Sequence, residues 1–148
     1  MESKDILDVT SGGRMMWFDK YNPDVLFSDI REEDFELCDG RYFEVKPDVI
    51  ADFRNLPFED DKFKLVVFDP PHLEKLGHNT WMAQKYGVLS FDWRNDLREG
   101  FKECFRVLEQ RGVLIFKWNE SQISVSEILK LTDKKPLYSK LVKSLFKN

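Results

Sequence analysis

The chain has little of what would place it in a special class. Its 148 residues include only two cysteines, Cys38 and Cys104, which lie far apart and match no metal-ligand spacing. We therefore interpret both as free thiols in a reducing compartment. No apolar run approaches the length of a membrane span, and the residues after Met1 lack the apolar core of a secretory signal. These features predict a cytoplasmic protein without membrane contact and without a metal site.

The sequence also lacks an excess of positive charge. Its net charge of −4 argues against a domain that binds nucleic acid with its whole surface. A local basic face stays open as an alternative, although a solvated helix face and tail is the plainer interpretation of the lysines near the end. These are Lys130, Lys134, Lys135, Lys140, Lys143 and Lys147.

What the chain does have is enough apolar content for a core, with 42% hydrophobic and 14% aromatic residues. Apolar runs alternate with amphipathic stretches, without repeats or linkers, which predicts one α/β domain over residues 1–148. The predicted strands are 6–9, 25–29, 48–52, 63–68 and 113–118. The predicted helices are one or two turns in 14–20, then 96–108 ended by Gly112, then 125–131 capped by Ser124 or Ser126. Residues 73–90 show no clean period, which suggests a loop or lid.

A glycine turn follows the first predicted strand, and acidic residues end the next two. Gly12-Gly13 brings bare backbone close to a ligand, and Asp29 lies roughly twenty residues further on, where a carboxylate can accept ribose hydroxyls. Asp52 can accept a hydrogen bond from an adenine amino group, and Phe53 can pack on the ring. Together these residues predict an adenosyl pocket at the carboxyl edge of the sheet. The alternative is that the acids are helix N-caps.

The sharpest motif is Asp69-Pro70-Pro71-His72, directly after the most strand-like run of the chain. A conjugated amino group is a poor nucleophile until both its N–H bonds are held. Asp69 offers a carboxylate for one, and the Pro70 carbonyl, stiffened by Pro71, can accept the other. His72 can stack on a flat substrate or take a proton. A proline-rich turn that merely ends a strand is the alternative.

Three further groups are weaker candidates. Arg14 can clamp a carboxylate at the glycine turn or lie at the surface. Trp17 and Phe18 can border the pocket, although core packing is the better interpretation. The residues after the fifth strand, 117–120, border the same edge, where Asn119 and Glu120 can also cap the next helix.

The motifs resemble those of class I S-adenosylmethionine (SAM)-dependent methyltransferases. The stretch Asp8-Val9-Thr10-Ser11-Gly12-Gly13 is similar to their motif I, and Asp29 matches their ribose-binding acid. Asp52-Phe53 with residues 56–58 resembles their adenine-binding loop, and Asp69-Pro70-Pro71-His72 resembles the Asp-Pro-Pro-aromatic motif of adenine amino methyltransferases. Residues 11–20 and 116–120 look like those of small phage and prophage methyltransferases. The chain departs from the pattern at Thr10, where glycine is common, and at His72, which replaces an aromatic residue.

The resemblance implies a Rossmann-like fold, a mostly parallel sheet of five or more strands with helices on both faces. The implied cofactor is SAM, bound by Asp8, Thr10, Ser11, Gly12, Gly13, Asp29, Asp52 and Phe53, with Asp69, Pro70, Pro71 and His72 as catalytic residues. The fold generally ends in a β-hairpin, which residues 140–148 do not resemble. We therefore expect an exposed sheet edge, which favours a homodimer.

The leading hypothesis is methyl transfer from SAM to an amino nitrogen, with a nucleic-acid base as the acceptor. The length leaves no room for a separate target-recognition domain, so such a base must be read by loops or by a partner, or be unpaired already. The acidic charge makes a protein or a small molecule a serious alternative acceptor. Two other classes stay open, namely a dehydrogenase using NAD and a non-catalytic module that binds SAM.

Overall fold

The computed structural model describes residues 3–72 and 89–140, which build a five-stranded parallel sheet and a separate hairpin. In chain order the elements are β1 (Ile6–Asp8), β2 (Val25–Asp29), β3 (Glu33–Glu36), β4 (Tyr42–Val45), β5 (Val49–Ile50), β6 (Phe63–Phe68), α1 (Trp93–Val107), β7 (Leu108–Phe116) and α2 (Val125–Leu129). The sheet order is β5-β2-β1-β6-β7. Because the chain runs outward from β1 in both directions, the strand order reverses beside β1, where α/β sheets bind ligands.

One face of the sheet carries the main core. Leu7 of β1 and Phe68 of β6 are fully buried there, against Leu97 and Phe101 of α1 and Ile128 of α2. Residues four apart, such as Leu97 and Phe101, share one side of a helix, and alternate strand residues share one side of a sheet. The sequence pattern of α1 therefore places its apolar stripe directly on β6 and β7.

Helices on both faces of the sheet were expected, and within residues 3–72 and 89–140 they lie on one face only. Both described helices belong to the core on the first face. Over β2, the other face is covered by the chain between β1 and β2, which forms turns where one or two helical turns were predicted for 14–20. Trp17 packs edge-on against Phe27, with ring centroids 5.6 Å apart, and the Arg14 guanidinium lies 3.9 Å from the centre of the same ring.

Local backbone bonds explain why these turns replace a helix. Arg14 has a φ of 57°, which is incompatible with a right-handed helix. The side chains of Asp19 and Asn22 accept hydrogen bonds from the backbone N–H groups two residues further on, at Tyr21 and Asp24. Such Asx turns compete with helical hydrogen bonds, so this short connection stays irregular.

The hairpin β3–β4 was not predicted and occupies the connection between β2 and β5. Phe35 pairs with Phe43 across the two strands, and Leu37, Phe43 and Val45 form a small buried cluster. The sequence contained a signal for this hairpin, since Asp39-Gly40 lies between two stretches in which apolar and polar residues alternate. In the structure Gly40 has a φ of 86°, which favours glycine.

Most element boundaries agree with the prediction within a few residues, with two exceptions. The third strand is only Val49–Ile50, so Asp52 lies two residues beyond it. Helix α1 ends at Val107, and Gly112 lies inside β7 instead of ending the helix. The chain enters the sheet early because the N–H of Lys62 donates to the carbonyl of Val107 at 2.9 Å. Ser124 caps α2 as predicted, accepting a hydrogen bond from the N–H of Glu127.

Strand β7 is the outer strand of the sheet in the described part of the chain. Val113 and Ile115 are 57% and 50% exposed on the face opposite the core. Homodimer formation stays a prediction. The predicted lid over 73–90 lies almost entirely outside the described residues, as does most of the tail of residues 140–148 that does not resemble a hairpin.

Candidate functional site

A cleft of about 610 Å³ opens at the carboxyl edge of the sheet, where the strand order reverses. All of the predicted site residues except Asp52 line it. They come from the end of β1 and its turn, the end of β2, the segment after β5, and the corner after β6: Asp8, Thr10, Ser11, Gly12, Gly13, Asp29, Phe53, Asp69, Pro70, Pro71 and His72. The volume falls in the range of about 300–1,000 Å³ that is usual for small-molecule sites. Residues far apart in sequence therefore share one cleft.

The glycine turn is fixed against the end of β2. The N–H of Ser11 donates to the carbonyl of Ser28 at 2.9 Å, and the N–H of Gly12 donates to the Asp29 carboxylate at 2.8 Å. Gly12 has a φ of 48°, and a Cβ added there would meet only the Arg31 guanidinium, at 3.9 Å. A side chain at this position would fill the cleft, so the glycine keeps backbone accessible to a ligand.

Gly13 lacks a side chain for another reason. A Cβ at this position would lie 2.6 Å from Cε2 of Phe43, on the hairpin strand β4. The β3–β4 hairpin, which lies between β2 and β5, therefore packs directly on the glycine turn and helps to fix its position.

Asp29 is buried, and its carboxylate is bonded on both oxygens. Oδ2 accepts the N–H of Gly12, and Oδ1 accepts the N–H of Arg31 at 3.0 Å, with the Arg31 side chain 3.5 Å away. A carboxylate has about four lone-pair positions. Asp29 therefore has acceptor capacity left for ligand hydroxyls.

Asp52 is the predicted site residue that does not line the cleft. Its carboxylate binds the Arg54 side chain, with Nη2 2.6 Å from Oδ2, and Arg54 also reaches Asp96 on α1. The hydrogen bond from Arg54 lowers the pKa of Asp52. Its neighbours Ala51 and Phe53 supply the cleft wall instead. Phe53 packs edge-on against Phe68 at 5.2 Å, so its ring is held by the core.

Asp8 is a buried carboxylate at the base of the cleft, 4% exposed. It accepts the indole N–H of Trp17 at 2.7 Å and the N–H of Thr10 at 3.1 Å. Burial raises the pKa of Asp8 from 3.8 to about 6; these two hydrogen bonds act against that rise, and the carboxylates of Asp69 and Asp29 add to it. Trp17 is thereby fixed as part of the cleft wall.

Thr10 joins the glycine turn to the Asp-Pro-Pro-His corner. Its hydroxyl accepts the N–H of Asp69 at 2.8 Å, across the parallel strands β1 and β6. Glycine, which is common at this position in the family that the motif resembles, could not make this bond. The departure at Thr10 therefore has a structural use, since it fixes the start of the corner relative to the turn.

The corner itself presents a carboxylate, two prolines and an imidazole to the cleft. Burial raises the pKa of Asp69, while the Lys117 ammonium, 3.3 Å from Oδ2, acts in the opposite direction. His72 is half-buried, its ring edge-on to Trp118 with centroids 6.4 Å apart, and burial lowers its pKa. Near neutral pH the imidazole is therefore uncharged, able to stack or to accept a proton.

The cleft also contains residues that the sequence did not place in the cofactor or catalytic site. Lys117 and Asn119 line the cleft together with Arg31, which follows Asp29 by two residues and was not predicted. Arg14 instead holds the chain together, because its guanidinium donates to the carbonyls of Lys20 and Lys46 at 2.7 Å. Glu120 has the predicted capping role, accepting the first N–H of α2 at 2.7 Å.

Comparisons of the chain with protein-family models, with curated proteins and with solved structures gave no match. In the described part of the chain, no helix has the length and apolar character needed to cross a membrane.

Proposed function

We propose that the protein is a SAM-dependent methyltransferase that acts on an amino nitrogen, with a nucleic-acid base as the acceptor. The observation that carries the proposal is the hydrogen bond between Thr10 and Asp69 within one cleft. It joins a glycine turn suited to a nucleoside-like ligand to a carboxylate corner suited to an amino group. A methyltransferase needs these two binding functions side by side, because its donor and acceptor must react in line.

The donor half of the cleft fits an adenosyl group on chemical grounds. Gly12 leaves open space where a side chain would stand, Asp29 retains acceptor capacity for ribose hydroxyls, and Phe53 offers an aromatic wall. When bound, SAM supplies a methyl group on a sulfonium, and the electrons of the broken S–C bond stay on sulfur as the N–C bond forms. The buried Asp8 carboxylate and the Trp17 ring would line the same pocket.

The acceptor half has the groups that an amino nucleophile requires. Asp69 can accept one N–H bond of the substrate and the Pro70 carbonyl can accept the other, which localises the nitrogen lone pair toward the methyl group. His72 can stack on a flat ring, and its neutral imidazole can take the proton that the nitrogen loses. Holding the donor and the acceptor in line in this way supplies much of the rate enhancement.

The alternative acceptor is a protein or a small molecule. The net charge of −4 favours it, since a large phosphate backbone would be repelled unless the contact is local. An NAD-dependent reaction fits less well, because the double-proline corner has no role in hydride transfer.

Calorimetry and a labelled-methyl assay test the proposal. SAM and its demethylated product should bind, and NAD should not. Label from SAM should then pass to the DNA or the RNA pool, whereas label in the protein pool would support the alternative acceptor. Transfer should fall at least about a hundredfold in Asp69→Ala. Asp5→Asn is the matched control, because Asp5 also pairs with a lysine, at 3.0 Å, but outside the cleft. Binding of NAD alone, or label transfer that survives Asp69→Ala, would contradict the proposal.

A further inference from the structure

Lys117 lies next to Asp69 because the sheet places it there. It follows the last residue of β7, and its backbone N–H donates to the carbonyl of Phe68 at 3.1 Å, which continues the pairing of β6 with β7. Asp69 follows Phe68 directly. The two side chains therefore leave adjacent strand ends at the same edge, and both line the cleft.

The pair is anchored through one carboxylate oxygen only. Lys117 Nζ lies 3.3 Å from Oδ2 of Asp69, and Oδ1 has no hydrogen bond within residues 3–72 and 89–140. The Lys117 side chain is 52% exposed and the Asp69 side chain 28% exposed. The Asp69 backbone is held separately by Thr10. One oxygen thus faces a fixed cation, and the other remains available as an acceptor.

We propose that Lys117 is a positioning residue for Asp69, which it holds through Oδ2 so that Oδ1 receives the amino group of the acceptor. This inference rests on the proposed function and adds a residue to it. A bound cation also limits the choice of acceptor. An alkylammonium group entering beside Lys117 would meet a like charge, whereas the neutral amino group of a ring or an amide would not.

Electrostatics of the described residues agree with this role. The charged or titratable groups that act on Asp69 are Lys117 directly after β7, His72 from its own corner and Asp8 from β1. Burial raises the pKa of Asp69, and Lys117 is the first of the opposing influences. Without that cation the carboxylate would gain a proton at higher pH and would lose an acceptor position.

A merely structural salt bridge between Lys117 and Asp69 would affect stability and the titration of Asp69 but not the pH dependence of methyl transfer. Ion pairs as exposed as this one contribute on the order of 0–1 kcal/mol to stability. Removal of Lys117 should therefore lower the free energy of unfolding at neutral pH by about 1 kcal/mol, the loss that is linked to a rise of about one unit in the pKa of Asp69. The titration detects the ion pair without any need for turnover, and a matching shift in the pH dependence of kcat/KM is the result that a merely structural ion pair would not give.

The experiment follows the Asp69 carboxyl carbon by NMR in protein labelled with 13C-aspartate, assigned by its loss in Asp69→Asn. In Lys117→Met we expect the midpoint to rise by about one pH unit, the low end of the effect of an opposite charge at this distance. Lys117→Arg, which keeps the charge, should titrate as the parent does. Lys64→Met is the matched control, because it removes an exposed lysine paired with Asp5 outside the cleft.

Methyl transfer gives the second readout. In Lys117→Met the acid limb of kcat/KM should shift in the same direction as the titration, and the Kd for SAM should stay within about twofold. An Asp69 midpoint that does not move in Lys117→Met overturns the inference, even if the enzyme is active. Absence of transfer in the parent protein contradicts the proposed function instead, so the two failures are distinguishable.

Discussion

Asp8 shows how a single buried carboxylate beside the cleft can lower the stability of the fold. It is almost fully withdrawn from water, yet it has no cationic partner among the described residues, only the N–H groups of Trp17 and Thr10. The charged form of such a group is destabilised because it has lost its hydration, and the raised pKa reflects the size of this destabilisation. A buried acid beside a cleft is more typical of a functional site than of a core optimised for stability.

The resulting dependence of stability on pH can be predicted with its sign. With a pKa near 6 in the folded state against 3.8 ordinarily, folded Asp8 binds more protons than the unfolded chain between these values. Its contribution to the free energy of unfolding therefore falls as pH rises through this window, by about 3 kcal/mol in total. In Asp8→Asn we expect a chain more stable at pH 7 by about 1–2 kcal/mol, since one hydrogen bond is lost, with no advantage near pH 4.

Urea unfolding at pH 4, 5, 6 and 7 measures this difference. The exposed residue Asp24 supplies the control variant, Asp24→Asn, which should follow the parent at each pH. If the curves of the parent and of Asp8→Asn stay parallel across the window, Asp8 does not titrate as described. The same variant should bind SAM more weakly if Asp8 serves the cofactor.

At the scale of elements, helix α1 supports the cleft through a glycine. A Cβ on Gly100 would lie 2.6 Å from Cδ2 of Phe53 and 2.9 Å from Cζ of Phe68. Glycine is usually unfavourable within a helix by about 1 kcal/mol, so its presence here indicates a need for close approach. Through this contact the helix sets the position of Phe53, whose ring forms part of the cleft wall.

Gly100→Ala should therefore destabilise the protein despite the gain in helix propensity. Overpacking costs about 1–3 kcal/mol and the gain in helix propensity is about 1 kcal/mol, which leaves a net loss of up to about 2 kcal/mol. The Kd for SAM should rise as well, because the Phe53 ring must move. Adding Phe53→Leu should recover part of the stability, as a double-mutant cycle would detect. Lys102→Ala, an exposed change in the same helix, is the control, and equal behaviour of the two alanine variants would contradict this account.

The elements also show what the sequence alone allowed. Strands β2 and β6 were predicted with their observed bounds, because continuous apolar runs ended by Asp29 and Asp69 leave little ambiguity. The β3–β4 hairpin was not predicted, although Asp39-Gly40 marks its turn, since the alternation of strands and helices in the rest of the chain favours a crossover at this point. The glycine turn after β1 was predicted, but the turns that replace the helical turns predicted for 14–20 could not be foreseen, because they depend on Phe27 and on carbonyls that Arg14 reaches across the fold.

At the scale of the whole molecule, the cleft forms because five segments meet at one sheet edge. The turn after β1, the end of β2, the segment after β5, the corner after β6 and the segment after β7 each contribute lining residues, and none of them forms a site alone. Sequence spacing located most of these residues, since parallel strands bring their carboxyl ends together. It could not show that Asp52 is directed to Arg54, because that choice depends on Asp96 in a distant helix.

A ligand that bridges these connections should stabilise them together. At a hundredfold excess over Kd, SAM should raise the free energy of unfolding by about 2.7 kcal/mol. For a chain of this size the melting temperature should then rise by about 5–10 °C. Hydrogen exchange should slow in concert at the amides of Gly12, Phe53 and Asp69, which belong to three different connections around the cleft.

The control amides are those of Gly40 and Leu131, which donate to carbonyls in local turns outside the cleft, at 2.9 and 3.0 Å. Local opening governs exchange in such turns, so a ligand in the cleft should leave them almost unchanged. Adenosine, which lacks the methionine part, should protect Phe53 more than Asp69. Protection confined to one connection would mean that the ligand does not bridge the cleft. This result would contradict the proposal that donor and acceptor bind in one shared site.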